Sequence, residues 1–303
     1  MGKKMEPVVV AQNLTRNYRR VTALDDFNLS VPEGQVLGLV GENGAGKSTL
    51  IKHILGMLRA QSGSMRVFGL DPVKEPVKVL SRIGYMSENR DMPGWMRVRE
   101  LMRYCNSLYP GWDPKYAEEL RELFDLDPTA KLRTLSLGQT AKAGLLAALA
   151  HRPDLIVLDE PSSGLDPVVR RDILGAIFRT VAHEGRTVLF SSHLLEEVEL
   201  VADRIAMVHA GKLMIHDTLD QIKTEHHRVT LRASNGQTDA PVLPGALSSE
   251  RVDSEWKVVC FAPESELRSA AQSAGHDIVS IERPSLDDIF VARAGTPINS
   301  GRD

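Results

Sequence analysis

The stretch GENGAGKSTL, residues 41–50, gathers three glycines, a lysine and two hydroxyls directly after the apolar run VLGLV. Glycine-rich turns between a strand and a helix are common, but this pattern is narrower. Gly41, Gly44 and Gly46, with Glu42, Asn43 and Ala45 between them, allow a backbone that curls with its N–H groups inward. Lys47, Ser48 and Thr49 then open a helix, TLIKHILGML, whose positive N-terminal end faces the same hollow. The chemistry such a loop performs is polyphosphate binding, with Lys47 reaching the terminal phosphates and Ser48 ligating magnesium. A second stretch, LIVLDEP, reads as a buried strand ending in two acids, Asp159 and Glu160. A strand that delivers a carboxylate beside a phosphate loop holds Mg2+ through its water shell, and Asp159 suits that role. Glu160, one residue on, points to the other side of the strand axis, where it could polarise a water for attack on a γ-phosphate.

Those groups need elements to position them. Apolar runs bounded by turn residues recur: VVVAQNL, VLGLV, RIGYM, LIVLDE, TVLFSS and RIAMVHAGKLMI. Helical patterns such as VVRRDILGAIFRTVAHEG and HLLEEVELVAD lie between several of them. Strands alternating with helices predict an α/β fold, a mostly parallel sheet covered on both faces with antiparallel β elements beside it. Residues 98–126 and 138–150 read as helix without an intervening strand, a helical insertion over about 95–150. The first domain is expected over 1–222 and a small α/β module over 223–303. In that module RVTLRA, WKVVCFA and IVSIER read as three short strands, and ESELRSAAQSAGHD and SLDDIFVARA as two helices. A polar, proline-bearing stretch, SNGQTDAPVLPG, joins them, and the tail TPINSGRD has little to pack.

With 303 residues, 42% of them hydrophobic and 25% charged, the chain has the make-up of a soluble globular protein of one large domain or two smaller ones. A net charge of −3 leaves no basic footprint, so no nucleic-acid partner is expected. Cys105 and Cys260 stand far apart and read as ordinary small residues in a reducing compartment. The longest apolar candidates, AGLLAALA and LIVLD, fall far short of a membrane span. The start, MGKKMEPVVV, is positively charged but lacks the hydrophobic region of a secretory signal. Work at a membrane would require docking on another chain.

At LSLGQ, residues 135–139, the reading becomes specific. GENGAGKST, LSLGQ, LIVLDEP, SGLDP and SSHLLEE follow in that order over about residues 6–222. In this the chain resembles the nucleotide-binding subunit of ATP-binding cassette (ABC) transporters, a P-loop NTPase fold. The resemblance implies that Ser136, Gly138 and Gln139 contact the γ-phosphate of ATP bound to a second subunit, a task a hydroxyl and a helix N-terminus can perform. It implies two composite sites in a dimer of the chain with a second copy of itself, linked through SGLDP and its Asp166. It implies that His193, in FSSHLL, contacts the γ-phosphate. Tyr18, in NLTRNYRR, matches the aromatic that stacks on adenine; by itself it fits strand packing equally well.

Three departures accompany the resemblance. Leu137 stands where the signature usually has glycine. TAKAGLLAALA keeps Lys142 but few of the usual basic and glutamine residues. Glu88, in RIGYMSENRDMP, replaces a glutamine near the magnesium. Trp95 and Trp112 lie in the following segment, either as anchors of a helical cap or as a groove that receives a helix of the membrane subunit. PSLDDIF, near Asp288, is similar to the ending of drug- and lipid-exporter cassettes. The expected protein is a magnesium-dependent ATPase subunit, peripheral on the cytoplasmic face of a membrane through a separately encoded permease, in export. A soluble cassette acting on nucleic acid or ribosomes, or a regulatory nucleotide-binding module, are the other readings.

Overall fold

The computed structural model describes residues 7–233 and 240–295. The charged start, the tail TPINSGRD and the first half of SNGQTDAPVLPG lie outside them. The chain divides into two compact units, Met1–His216 and Asp217–Asp303.

The first unit opens with β1 (Val9–Tyr18) and β2 (Val21–Val31), paired antiparallel. Alternate residues of β2, Phe27, Leu29 and Val31, turn inward, the pattern of a sheet with one wet face. The next strand, β3 (Val36–Val40), is buried at every position, as a central parallel strand must be. It runs into the phosphate-loop sequence and α1 (Lys47–Ile54), after which β4 (Ser62–Val67) returns to β1, completing a three-stranded antiparallel sheet. Leu50, Ile51 and Ile54 of α1 are fully enclosed in one core with Leu14, Phe27, Leu37 and Leu39. At about 1.5–3 kcal/mol for each such side chain, that core holds the start of α1 firmly against the end of β3.

After α2 (Pro76–Leu80) and β5 (Ile83–Met86) comes the helical insertion: α3 (Val98–Leu108), α4 (Pro114–Leu123) and α5 (Leu137–Leu149). The single helical stretch expected over 98–126 is broken at Tyr109. Pro110 and Gly111 interrupt it, and Asp113 restarts it by accepting the N–H groups of Lys115 and Tyr116 ahead of Pro114. The remaining elements are β6 (Leu155–Leu158), α6 (Pro167–Glu184), β7 (Thr187–Ser192), α7 (Leu195–Val201), β8 (Arg204–His209) and β9 (Lys212–Thr218). They build a six-stranded sheet in the order β5-β6-β7-β3-β8-β9, with β5, β6, β7, β3 and β8 mutually parallel. Only Ala210 and Gly211 separate β8 from β9, too short a link for a parallel crossover, so β9 is the antiparallel edge. The C-terminal ends of β3, β6 and β7 therefore lie side by side and deliver their loops to one place.

The first helix of the second unit is α8 (Leu219–Glu225), which contains the boundary expected at 222–223. Then follow β10 (His226–Ala233), β11 (Ala246–Val252), β12 (Glu255–Phe261), α9 (Glu264–Ser273), β13 (His276–Glu282) and α10 (Leu286–Ala294). The sheet is antiparallel in the order β11-β12-β10-β13, four strands where three were expected. The added strand, ALSSERV, has no fully buried position and so lacks a hydrophobic alternation to betray it. Val229, Leu231, Val258, Cys260, Leu267 and Ala271 form its core. Both cysteines, Cys105 and Cys260, are free and buried, and burial pushes their thiols up to about 11 and about 12.

Candidate functional site

The phosphate-loop residues leave β3 and turn into α1 through Gly46, at φ 116°, where a Cβ would sit 2.3 Å from the Ala23 carbonyl oxygen. Only glycine combines that dihedral with that approach. Glu42, Asn43, Gly44, Lys47, Ser48 and Thr49 line an open cavity of about 320 Å³, and Glu88 and Glu160 line it from other loops. Lys47 is nearly buried and donates to the Gly41 carbonyl at 2.6 Å and that of Glu42 at 3.3 Å. Ala45 is buried behind the loop.

The acids after β6 meet this loop. Ser48 Oγ lies 3.5 Å from Asp159 Oδ1, so a hydroxyl and a carboxylate stand together at the start of α1. Both are hard oxygen donors of the kind magnesium takes, with room left for water and phosphate oxygens. Burial first, and the charge of Asp159 second, raise the pKa of the nearby Tyr85 phenol. Glu160 has its backbone in the left-handed region, φ 48°, which costs a non-glycine residue about 1–3 kcal/mol. Its Oε1 lies 3.2 Å from Lys47 Nζ, with both side chains about 95% buried. Its Oε2 accepts from His193 Nδ1 at 2.7 Å. An ionised carboxylate only accepts, so Nδ1 carries the proton there. Burying an ion pair adds little net stability, so a strained carboxylate between a lysine and a histidine at a cavity wall points to chemistry.

Ser136, Gly138, Gln139 and Asp166 form a second group that does not line this cavity. Ser136 caps α5: its hydroxyl accepts from Gln139 N at 3.2 Å, and Gln139 Oε1 accepts from Ser136 N at 3.0 Å. A Cβ on Gly138 would approach Val169 Cγ2 of α6 to 2.9 Å, so glycine here lets two helices meet. Asp166 caps α6, accepting from the N–H groups of Val168 and Val169. Leu137 is half exposed and its tip reaches Gly164 of the SGLDP stretch. Tyr18 stands at the end of β1, partly exposed, with the Arg16 guanidinium 4.8 Å from its ring centre. The two tryptophans differ in kind: Trp112 is 9% exposed and Trp95 70%.

The ABC transporter family model matches residues 24–163. The daunorubicin resistance ATP-binding protein DrrA3 of Streptomyces coeruleorubidus is 32% identical over 307 residues, 96% of each chain. The chain belongs to the ATP-binding proteins of ABC transporters. The bacitracin transport ATP-binding protein BcrA of Bacillus licheniformis is 31% identical over 79% of each chain. A solved ATP binding subunit of an ABC transporter, 27% identical, matches with a TM-score of 0.66 over 71% of this chain and 92% of that one. As a cassette of this family the chain is an ATPase with a P-loop NTPase fold.

The cassette uses groups that its motifs do not announce. Ser191, in β7, donates to Asp159 Oδ1 at 2.7 Å and accepts from Glu160 N at 2.9 Å, so one hydroxyl orients both acids. Arg90, two residues after Glu88, is buried and donates to the carbonyls of Pro161 at 3.1 Å and Ser163 at 2.7 Å. Burial lowers its pKa, and Glu88 opposes that shift. Doubled serines ahead of His193 were the one sequence signal for Ser191. Nothing local marks Arg90, whose partners lie on a distant loop.

Proposed function

We propose that this chain binds and hydrolyses ATP with magnesium at two composite sites shared with a second copy of itself. It thereby drives a separately encoded membrane permease in export. The observation that carries this reading is Glu160, held between Lys47 and His193 at the wall of the phosphate-loop cavity. Lys47 leaves its carbonyl partners for the terminal phosphates of the nucleotide, and the N–H groups at the start of α1 face the same anion. That frees Glu160 Oε1 to accept a proton from the attacking water. His193 steadies Glu160 through Nδ1, and a contact from Nε2 to the γ-phosphate uses the doubly protonated ring. Ser48 and Asp159 would hold magnesium, with Glu88 close by; when bound, the ion neutralises phosphate charge.

The dimer follows from what one chain lacks. Ser136 and the α5 N-terminus lie off the chain's own cavity, and a Ser136 hydroxyl that accepts within its cap keeps a hydrogen to donate. A second chain supplies them across the γ-phosphate. The membrane role rests on the transporter relatives, and no helix among the described residues is long and apolar enough to cross a membrane. Exposed Trp95, and the exposed Tyr104 and Leu108 one turn apart on α3, are side chains that a permease helix could cover. Relatives in daunorubicin resistance and bacitracin transport favour export. PSLDDIF favours it less, since Ser285 and Asp288 serve as a capping box for α10.

The test is Glu160→Gln. Hydrolysis is expected to fall by about 10²–10⁴-fold, with ATP still bound. In ATP and magnesium the variant accumulates as a dimer by size exclusion with light scattering. A monomer at full ATP occupancy overturns the homodimer, and retained turnover overturns the assignment of the base.

A further inference from the structure

Glu197 lies in α7, outside the residues that line the nucleotide cavity, yet it is only 3% exposed. Its Oε2 accepts from two hydroxyls at once, Ser162 Oγ at 2.5 Å and Ser192 Oγ at 3.2 Å. Its Oε1 lies 3.0 Å from Nε of Arg170, on α6. The sequence places of those partners matter. Ser162 is two residues beyond Glu160, and Ser192 immediately precedes His193. One carboxylate therefore joins the loop after β6 to the last residue of β7, and the 2.7 Å contact between Glu160 and His193 joins the same loop to the residue that follows β7. Arg170 brings in a third element, because it sits in the first turn of α6, just past the Asp166 cap.

Stability alone gives no reason for this arrangement. A buried charged cluster commonly contributes no more than well-packed apolar groups of the same volume would. What it supplies is fixed geometry: three segments converge on one side chain at the edge of the reacting groups. Arg90 and Ser191 restrain the 160–163 loop as well, but each of them ties it to a single element.

We propose that Glu197 is a positioning residue for ATP hydrolysis, setting the spacing of Glu160 and His193 and coupling it to α6 through Arg170. The proposal rests on the reading of Glu160 and His193 as the hydrolytic pair, and the two fail separately. Retained turnover in Glu160→Gln removes the pair. Normal turnover in Glu197 variants, with Glu160→Gln inactive, removes only the positioning role.

The experiment uses the full chain and three readouts: single-turnover hydrolysis, ATP affinity without magnesium, and the thermal midpoint. Glu197→Leu removes all three contacts and keeps the volume. It is expected to slow hydrolysis by about 10–10²-fold, the scale of a misplacement near 1 Å, with ATP affinity unchanged. Glu197→Gln keeps an oxygen for Ser162 and recovers part of that loss. In a Glu160→Gln background Glu197→Leu adds no further loss, because both changes act on one step. Should Glu197→Leu not fold, Ser162→Ala and Ser192→Ala read the same quantity, and their combined loss falls short of the product of the two. Unchanged turnover in the folded variants overturns the proposal. So does a loss carried by ATP affinity, or one of equal size in the Glu160→Gln background.

Discussion

Glu88 and Glu160 face one cavity from two loops, and their surroundings assign them different work. Glu160 is buried between Lys47 and His193 in a strained backbone, whereas Glu88 is exposed. An exposed carboxylate beside phosphates can serve as a hard oxygen ligand for magnesium, but it also adds repulsion, so the two effects largely offset each other. Glu88→Gln is therefore expected to keep most of the turnover and to shift mainly its magnesium dependence. A single-turnover magnesium titration, run beside Glu160→Gln, checks this, and equal losses in both variants would sink the distinction. At this scale the sequence was most legible where chemistry is local. Lys47, Ser48, Asp159 and Glu160 sit in short motifs whose spacing is itself the geometry. Ser191, Arg90 and Glu197 were not legible, because each acts on a partner that only the folding of the sheet brings near.

Among the elements, the helical insertion separates two tryptophans that its sequence left undivided. Trp112 closes the turn between α3 and α4, with its backbone N–H donating to the Tyr109 carbonyl at 3.0 Å and its side chain inside. Trp95 lies on the surface. Trp112→Ala is expected to destabilise the fold by about 3–5 kcal/mol, the usual cost of emptying a buried aromatic site. Trp95→Ser should leave the thermal midpoint and basal hydrolysis in place while weakening co-purification with the permease proposed above. Denaturant melts and a membrane pull-down check the pair, and a loss of stability in Trp95→Ser would contradict the division. The parallel strands were readable because burial on both faces leaves continuous apolar runs. The strand β11 was hidden for the opposite reason, as a polar edge, and the break at Tyr109 overrode a helical pattern that continued on either side.

Across the whole molecule, three enclosed histidines share one electrostatic situation. Burial, chiefly, lowers the pKa of His53, His151 and His226 below the ordinary 6.5, and a neighbouring arginine adds to it in each case. His151 also stacks on Tyr109, with ring centres 4.0 Å apart, while its Nε2 donates to the Ile83 carbonyl. A group with a depressed folded pKa binds fewer protons folded than unfolded, so stability rises with pH through that window. The contribution is complete above 6.5 and drains away as the pH falls through the folded values. The thermal midpoint is expected to decline in mild acid as this contribution is lost. Replacing His151 with Phe should flatten part of that decline in a calorimetric series; an unchanged slope would count against burial as its cause.

The two buried thiols have a practical side. A thiol reacts as its thiolate, and both Cys105 and Cys260 are kept protonated and away from solvent. To a maleimide the native chain is nearly blank. A cysteine introduced on the surface would carry a spin label or dye at one known address, with both natural residues left in their cores. Distances across the proposed pair of cassettes could then be read in the wild-type background, free of the repacking that a cysteine-less parent would bring.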